Sequence, residues 1–385
     1  MGTHHFSGGR FIMKKFFAAA MAAIMMGSLV SCGKDQADKG EAEKKKIGIA
    51  MPAEELERWN SDGLYLKQQF EEAGYDVILK YSQNDASKQN NDVLGMISED
   101  VDLLLIAAVD GNQMSKTLDD AKTKNIPIVA YDRLIMNTDA ITYYVSFDNY
   151  TVGKMQAEFV RDELQLDSTS GPYNIEFVAG DKGDNNARYF FNGAYETLEP
   201  YIKSGKLEIP SGKNTFERVA TDGWTTDNAE KDMKGTLSVN YKDKNLDVVL
   251  CSNDSTALGV TKALESGYKG SGQPIITGQD GDIENLRNIV DGKQSMTVYK
   301  NVSDEAGVAL EVCKKLLDGE IPAANLTESF ECECVFDSES YNNGVKYVQS
   351  YLLVPYVITK DNLQLLVNTG LYRWDASNKY LELNK

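Results

Sequence analysis

The chain has 385 residues, of which 42% are hydrophobic and 25% charged, and its formal net charge is -18. At about 100–200 residues per domain, this length suits two or three domains with an ordinary apolar core. The acidic balance repels phosphate backbones, so nucleic acid is not expected as a partner.

The N-terminus is read first. Arg10, Lys14 and Lys15 are the only charged side chains in the first 31 residues. Met13-Lys14-Lys15 is a short basic segment, followed by an apolar run from Phe16 to Val30. That run is shorter than the roughly 20 residues that span a bilayer, as a signal-peptide core should be. It ends in Leu29-Val30-Ser31-Cys32-Gly33, which resembles the bacterial lipobox and makes Cys32 the lipidated first residue of the mature protein. Residues 1–31 are therefore read as a signal peptide starting at Met13, with residues 1–12 an upstream extension. Residues 32–45 are read as the lipidated Cys plus a charged, flexible tether. The protein is expected to be exported and lipid-anchored at the cell membrane, in the periplasm or on the outer face of the cytoplasmic membrane. Cys251, Cys313, Cys332 and Cys334 remain, and their spacing fits no zinc or redox motif. A bridge from Cys313 to Cys332 or Cys334, or four free thiols, both stay open.

From Lys46 onward, apolar β-rich runs alternate with segments of helical period. The runs are 46–51, 76–81, 101–109, 126–131, 142–147, 173–179, 246–252, 274–279 and 295–299. Helical periodicity marks 62–73, 112–124, 149–164, 185–203, 226–238, 255–266 and 303–318. In the first of these, Leu64, Leu66, Phe70 and Ala73 share a face and Gly74 ends the turn. Continuous apolar strands separated by helices mean α/β architecture, with parallel sheets covered on both faces. The number of strands suits two doubly wound lobes.

Ligands of open α/β sheets bind beyond the carboxyl ends of the strands. The residues just past the predicted strands are Glu57-Arg58-Trp59, Asp110, Asp132-Arg133, Asp184-Asn185-Asn186, Trp224, Asn253-Asp254, Asp280 and Lys300. Charged and amide side chains supply directional donors and acceptors, and the two Trp supply flat apolar faces. A sugar ring needs both, hydroxyl partners round its rim and a platform under its C–H face. Taken singly, each residue has a plainer role. Asn253, Asp254 and Asp184 suit helix N-caps, an isolated Trp suits a core, and Asp132-Arg133 suits a structural ion pair. Independent caps would include more Ser and Thr and no Trp.

On these motifs the chain resembles the type I periplasmic binding proteins, and within them the xylose and multiple-monosaccharide receptors. The matching stretches are GIAMP (48–52), ERW (57–59), IPIVAYDRLI (126–135), SFDN (146–149), DNNA (184–187), LEPYIKSGKL (198–207), SND (252–254), GQD (278–280), TVYK (297–300) and SYLLVPYVITKDN (350–362). The resemblance implies two lobes joined by three crossings, near Asn149, Lys300 and residues 345–355. The N-terminal lobe is then expected to hold 46–149 plus 301–345, and the C-terminal lobe 150–300 plus 346–385. It implies sugar contacts at Arg58, Trp59, Asp132, Arg133, Asp184, Asn186, Trp224, Asn253, Asp254, Asp280 and Lys300. The tract 328–341 looks unusual beside either receptor group.

The leading expectation is therefore a monosaccharide carrier for an ABC transporter permease, without enzymatic activity, cofactor or metal. No Asp-rich calcium loop is present in the sequence. Presentation of the sugar to a chemoreceptor or sensor kinase is the second reading. A two-carboxylate glycosidase could use Asp184, Asp254 and Asp280. Arg and Lys neighbours are expected to keep those acids ionised, which leaves no proton donor. A sugar-responsive repressor would need a basic DNA-binding module where this chain has a signal peptide.

Overall fold

A computed structural model describes residues 44–384. The expected signal peptide, Cys32 and most of the tether lie outside the described residues. In chain order the main strands are β1 (Lys46–Met51), β2 (Asp76–Tyr81), β3 (Leu103–Ile106), β4 (Ile128–Tyr131), β5 (Tyr143–Phe147), β6 (Tyr173–Val178) and β7 (Leu207–Glu208). They continue with β8 (Val248–Cys251), β9 (Ile275–Ile276), β10 (Thr297–Tyr299), β11 (Cys334–Asp337), β12 (Ser350–Leu353) and β13 (Tyr356–Ile358).

The larger sheet has seven strands in the order β11-β12-β5-β4-β3-β1-β2, parallel except for the edge strand β11. Side chains alternate along its strands and feed two cores. Ile47, Ile49, Leu103, Leu105, Val129 and Tyr131 face one. Ala50, Leu104, Ile106, Ile128 and Ala130 face the other. Both faces are therefore buried, which is why these strands read as unbroken apolar runs. The second sheet is β7-β6-β8-β9, all parallel. A parallel bridge from Gln279 to Val298 and the antiparallel β10–β13 pair extend it.

The chain passes from the larger sheet to the second after Phe147, where Asp148 caps the helix Asn149–Glu163 by accepting from the Thr151 N–H at 3.2 Å. It returns after Lys300, where Asn301 caps the helix Val302–Leu317 through the Ser303 N–H at 3.2 Å. The third passage falls between β12 and β13, since β12 pairs with β5 of the larger sheet and β13 with β10 of the second. This corrects the expected lobe boundary at 345/346. Ser350–Leu353 is buried in the first lobe, and the chain leaves it at Val354-Pro355.

The first helix, Glu57–Glu72, starts five residues before the segment read from its apolar face. Its buried side is Arg58, Trp59, Asp62, Gly63, Leu66 and Phe70, while Leu64, expected inside, is 55% exposed. Charged residues buried in the first two turns hid the helix from a hydrophobic pattern. Polar burial also hid Ala86–Ser98, where Gln89 donates to the Ala107 carbonyl at 2.8 Å and accepts from the Val109 N–H at 2.7 Å. Cys251, Cys313, Cys332 and Cys334 are free thiols.

Candidate functional site

The carboxyl ends of both sheets meet in one polar cleft. Arg58, buried in the first turn of its helix, is its hub. Its Nε donates to Asp62 at 2.8 Å, and Nη2 reaches Glu305 at 2.7 Å and Asp132 at 3.2 Å. Nη1 lies 3.4 Å from Asp280, which follows the second sheet. Lys300, at the end of β10, returns the contact, with Nζ 3.1 Å from Asp132 and 3.6 Å from Asp280. Two cations and two carboxylates thus interlock across the seam between the lobes.

A second set lies beside the first. Arg133 donates from Nη1 to the Ala108 carbonyl at 2.9 Å, and its guanidinium sits 4.9 Å from the ring centre of Trp59. This distance is within the roughly 6 Å of a favourable cation–π contact. Arg133 Nε lies 3.0 Å from Asp184 Oδ2, yet it is not aligned for a hydrogen bond and has no partner. Trp224 donates from its indole to the same Asp184 oxygen at 3.2 Å and meets Phe190 edge-on at 6.3 Å. A Cβ on Gly180 would stand 1.9 Å from the Trp224 ring, so only glycine lets the indole lie there.

Around these groups lies a small cavity, bounded by Arg58, Trp59, Asp132 and Arg133 from the larger-sheet lobe and by Asp184, Trp224, Asn253, Asp280 and Lys300 from the second. Three of its residues, Asp132 (φ 57°), Trp224 (φ 60°) and Asp280 (φ 107°), hold left-handed backbone conformations. Such strain persists where the surroundings over-determine it, and it gathers at ligand sites.

Burial works to raise the Asp132 pKa, but Lys300, Arg58 and Arg133 together overcome it and hold the carboxyl below its ordinary range. The other acids run the opposite way. Burial pushes Asp184 up despite Arg133, pushes Asp62 up to about 6 despite Arg58, and with Asp280 pushes Asp254 up to about 8. The expectation that basic neighbours keep these acids ionised is corrected for Asp254, while Asp184 has Arg133 beside it at 3.0 Å. Arg58 is already shared among four carboxylates, and none of its contacts reaches either of them.

Residues 47–321 match the family model described as a periplasmic binding protein domain. The multiple sugar-binding periplasmic receptor ChvE of Rhizobium radiobacter is 38% identical over 87% of this chain and 92% of its own length. The D-xylose-binding periplasmic protein of Escherichia coli is 34% identical over 86% and 92%. Among solved structures, an ABC transporter solute binding protein from Clostridium phytofermentans with bound β-D-glucose superposes with a TM-score of 0.81 at 43% identity, covering 87% of this chain and 99% of that one. The chain belongs to the periplasmic binding protein family.

It is a binding protein and not an enzyme. Of the residues expected to contact ligand, Arg58, Trp59, Asp132, Arg133, Asp184, Trp224, Asn253, Asp280 and Lys300 line the cavity of this periplasmic binding protein. Asn186 and Asp254 do not. Asn186 is 1% exposed and sits behind the wall, donating to the Asp132 carbonyl and accepting from the Tyr144 hydroxyl at 3.1 Å. Asp254 is fully buried and accepts from the N–H groups of Gly281 and Asp282, both at 2.9 Å, from Gln294 at 2.9 Å and from Thr297 at 3.1 Å. It fixes the turn that carries Asp280. Asn253 and Asp184 are also helix caps, whereas Asp254 is the first residue of the helix that Asn253 caps. Asn253 forms a capping box with Thr256, and Asp184 accepts from the Asn186 N–H at 2.9 Å.

The cavity of the binding protein also takes in Leu56, Phe190, Ser255 and Gln279, which the sequence reading missed. Leu56 and Phe190 carry no polar signal. Gln279 could have been found, since it sits inside the GQD stretch beside Asp280. Among the described residues no group of His, Cys, Asp and Glu is arranged to hold a metal ion, and no helix is long and apolar enough to cross a membrane.

Proposed function

We propose that this protein binds a monosaccharide of the glucose or xylose type between its lobes and delivers it to an ABC permease, while a lipid on Cys32 holds it at the membrane. One observation carries the reading. Donors and acceptors from both sheets converge, with two indoles, on one cavity in the cleft. Arg58, Arg133 and Lys300 present N–H groups, Asp132, Asp184 and Asp280 accept, and Asn253 does both. Trp59 and Trp224 supply the apolar surface that a C–H face requires. The ligands named for the relatives, β-D-glucose and D-xylose, have this chemistry. Lobe closure delivers it, as in the hinge motion of periplasmic binding proteins generally. For the anchor, the support is the sequence alone, the apolar run ending at Cys32 and the charged tether beyond it.

A thermal-shift panel of glucose, xylose, galactose and arabinose tests the ligand, because a compound that binds only the folded state raises its melting temperature. A saturable rise with at least one of the four is expected. No shift with any of them, confirmed by calorimetric titration, overturns the reading.

A further inference from the structure

Gln279 follows β9 and carries a parallel bridge to Val298, and its carbonyl accepts from the Asp254 N–H at 2.8 Å. Its main-chain carbonyl is thus engaged. Its side chain is not. The residue is 2% exposed and lines the cleft cavity, and its Oε1 is buried with no hydrogen-bond partner. Its neighbours contrast with it. Asn253 caps a helix, Asp280 meets Arg58 and Lys300, and Asp184 accepts from Trp224. A buried amide acceptor left unpaired is costly, and nearly all such groups in native proteins have a partner. An amide also offers N–H and C=O on one rigid plane, so it can accept from one hydroxyl and donate to its neighbour.

We propose that Gln279 is a specificity-determining residue that reads a ring hydroxyl of the bound sugar through its side-chain amide. The inference rests on the monosaccharide reading above. Carboxylates and cations in the cleft already partner each other across the seam, so a sugar must compete for them. Gln279 needs no such exchange. A hydroxyl at its Oε1 is a net gain, and a sugar with no hydroxyl there leaves the amide stranded. Discrimination of this kind is strong, because the site's own buried polar group is left unpaired by the wrong ligand.

The test uses the mature protein with Gln279→Leu and Gln279→Met. Both keep the bulk of the side chain and remove its polar atoms. Neither removes a protein–protein hydrogen bond, so melting temperatures without sugar should stay at or above that of the parent. Affinities for glucose and for its 2-, 3-, 4- and 6-deoxy analogues are measured by calorimetry on all three proteins. Glucose should bind both variants at least about tenfold more weakly. One deoxy analogue should be penalised in the parent and hardly at all in the variants, which identifies the hydroxyl that is read. Variants that bind glucose within twofold of the parent, or that keep every deoxy penalty, overturn the assignment. If the parent itself binds none of these sugars, the monosaccharide reading has failed instead.

Discussion

Arg58 and Asp280 stand 3.4 Å apart across the seam, one in the first helix of the larger-sheet lobe and the other in the turn after β9 of the second. A hinge rotation that parts the sheets separates this pair, together with Lys300 and Asp132 at 3.1 Å. On the proposed function, sugar held by both sides should assemble the site and close the lobes in one event. Hydrogen bonds to charged groups contribute about 1.5–3 kcal/mol each, and removing one partner also strands the other. Asp280→Ala should cost at least about tenfold in sugar affinity. Small-angle scattering should show compaction of the parent on saturation with the bound sugar. Wild-type affinity in the variant, or no compaction, would sink the mechanism.

The indoles and Arg133 act together. Arg133 covers Trp59 at 4.9 Å and also holds the Ala108 carbonyl, while Trp224 is pinned through Asp184. Arg133→Lys should weaken binding about as much as loss of a hydrogen bond, because a point charge cannot reproduce a planar fork that stacks and donates at once. Trp224→Ala should weaken binding several-fold with the fold intact, since an aromatic contact is worth about 0.5–1.5 kcal/mol beyond its burial. Unchanged calorimetric affinity in Trp59→Ala and Trp224→Ala alike would make both rings plain core.

Much of the site was legible because strand ends are easy to find in a parallel α/β chain. Apolar runs mark the strands, and the next polar residue projects into the cleft. β4 follows that logic directly, with Asp132 and Arg133 next in the chain, and the bounds of β1, β2 and the helix Asn185–Lys203 were themselves readable. Where burial is polar, the pattern fails. The start of the helix Glu57–Glu72 hides under Arg58, Trp59 and Asp62, and Asp254 reads as a strand-end ligand although its carboxylate is spent on the turn beside it. Adjacent residues also divide labour in ways that spacing does not reveal, as Asn253 and Asp254 do. The tract 328–341 includes β11, the antiparallel edge of the larger sheet, and an edge strand of four residues leaves little periodicity to read.

Asp254 should therefore behave as a positioning residue. Replacing it by Ala strands donors from Gly281, Asp282, Gln294 and Thr297, and a Cβ on the adjoining Gly278 would already stand 2.0 Å from its carboxylate. Asp254→Ala is expected to lower stability without sugar by several kcal/mol, since each buried donor left unpaired costs about 1–3 kcal/mol. Asp280→Ala should lose affinity with much less loss of stability. Equal melting temperatures for Asp254→Ala and the parent would show that the turn does not depend on it.

The anchor is tested apart from the cleft. Cys32→Ala should abolish incorporation of labelled fatty acid and leave unprocessed or mislocalised precursor in membrane fractions. Purified protein from residue 46 onward should bind sugar with parental affinity, because the described lining of the cavity runs from Leu56 to Lys300. Normal lipid incorporation in Cys32→Ala would rule the anchor out.

The last prediction concerns pH. Asp62 is fully buried, and burial pushes its carboxyl up to about 6 although Arg58 donates to it at 2.8 Å. In the unfolded chain an Asp titrates near about 3.9. A folded pKa above the unfolded one means that the folded state binds the proton more tightly. The contribution of Asp62 to stability is therefore fully present below about pH 4 and is lost as pH rises through about 6. Asp132 has the opposite sign, since its folded pKa is lowered, and its contribution is lost only as pH falls through that depressed value, below the range in question. Asp62→Asn removes the titration while keeping the shape of the side chain. The parent's melting temperature minus that of the variant should thus be most favourable to the parent near pH 4, decline between pH 4 and 6, and level off above 6. Calorimetric melting at half-unit steps from pH 4 to 8 measures this difference directly. A difference that grows with pH over that window would mean that Arg58 holds Asp62 ionised throughout and that the hub carries its full charge.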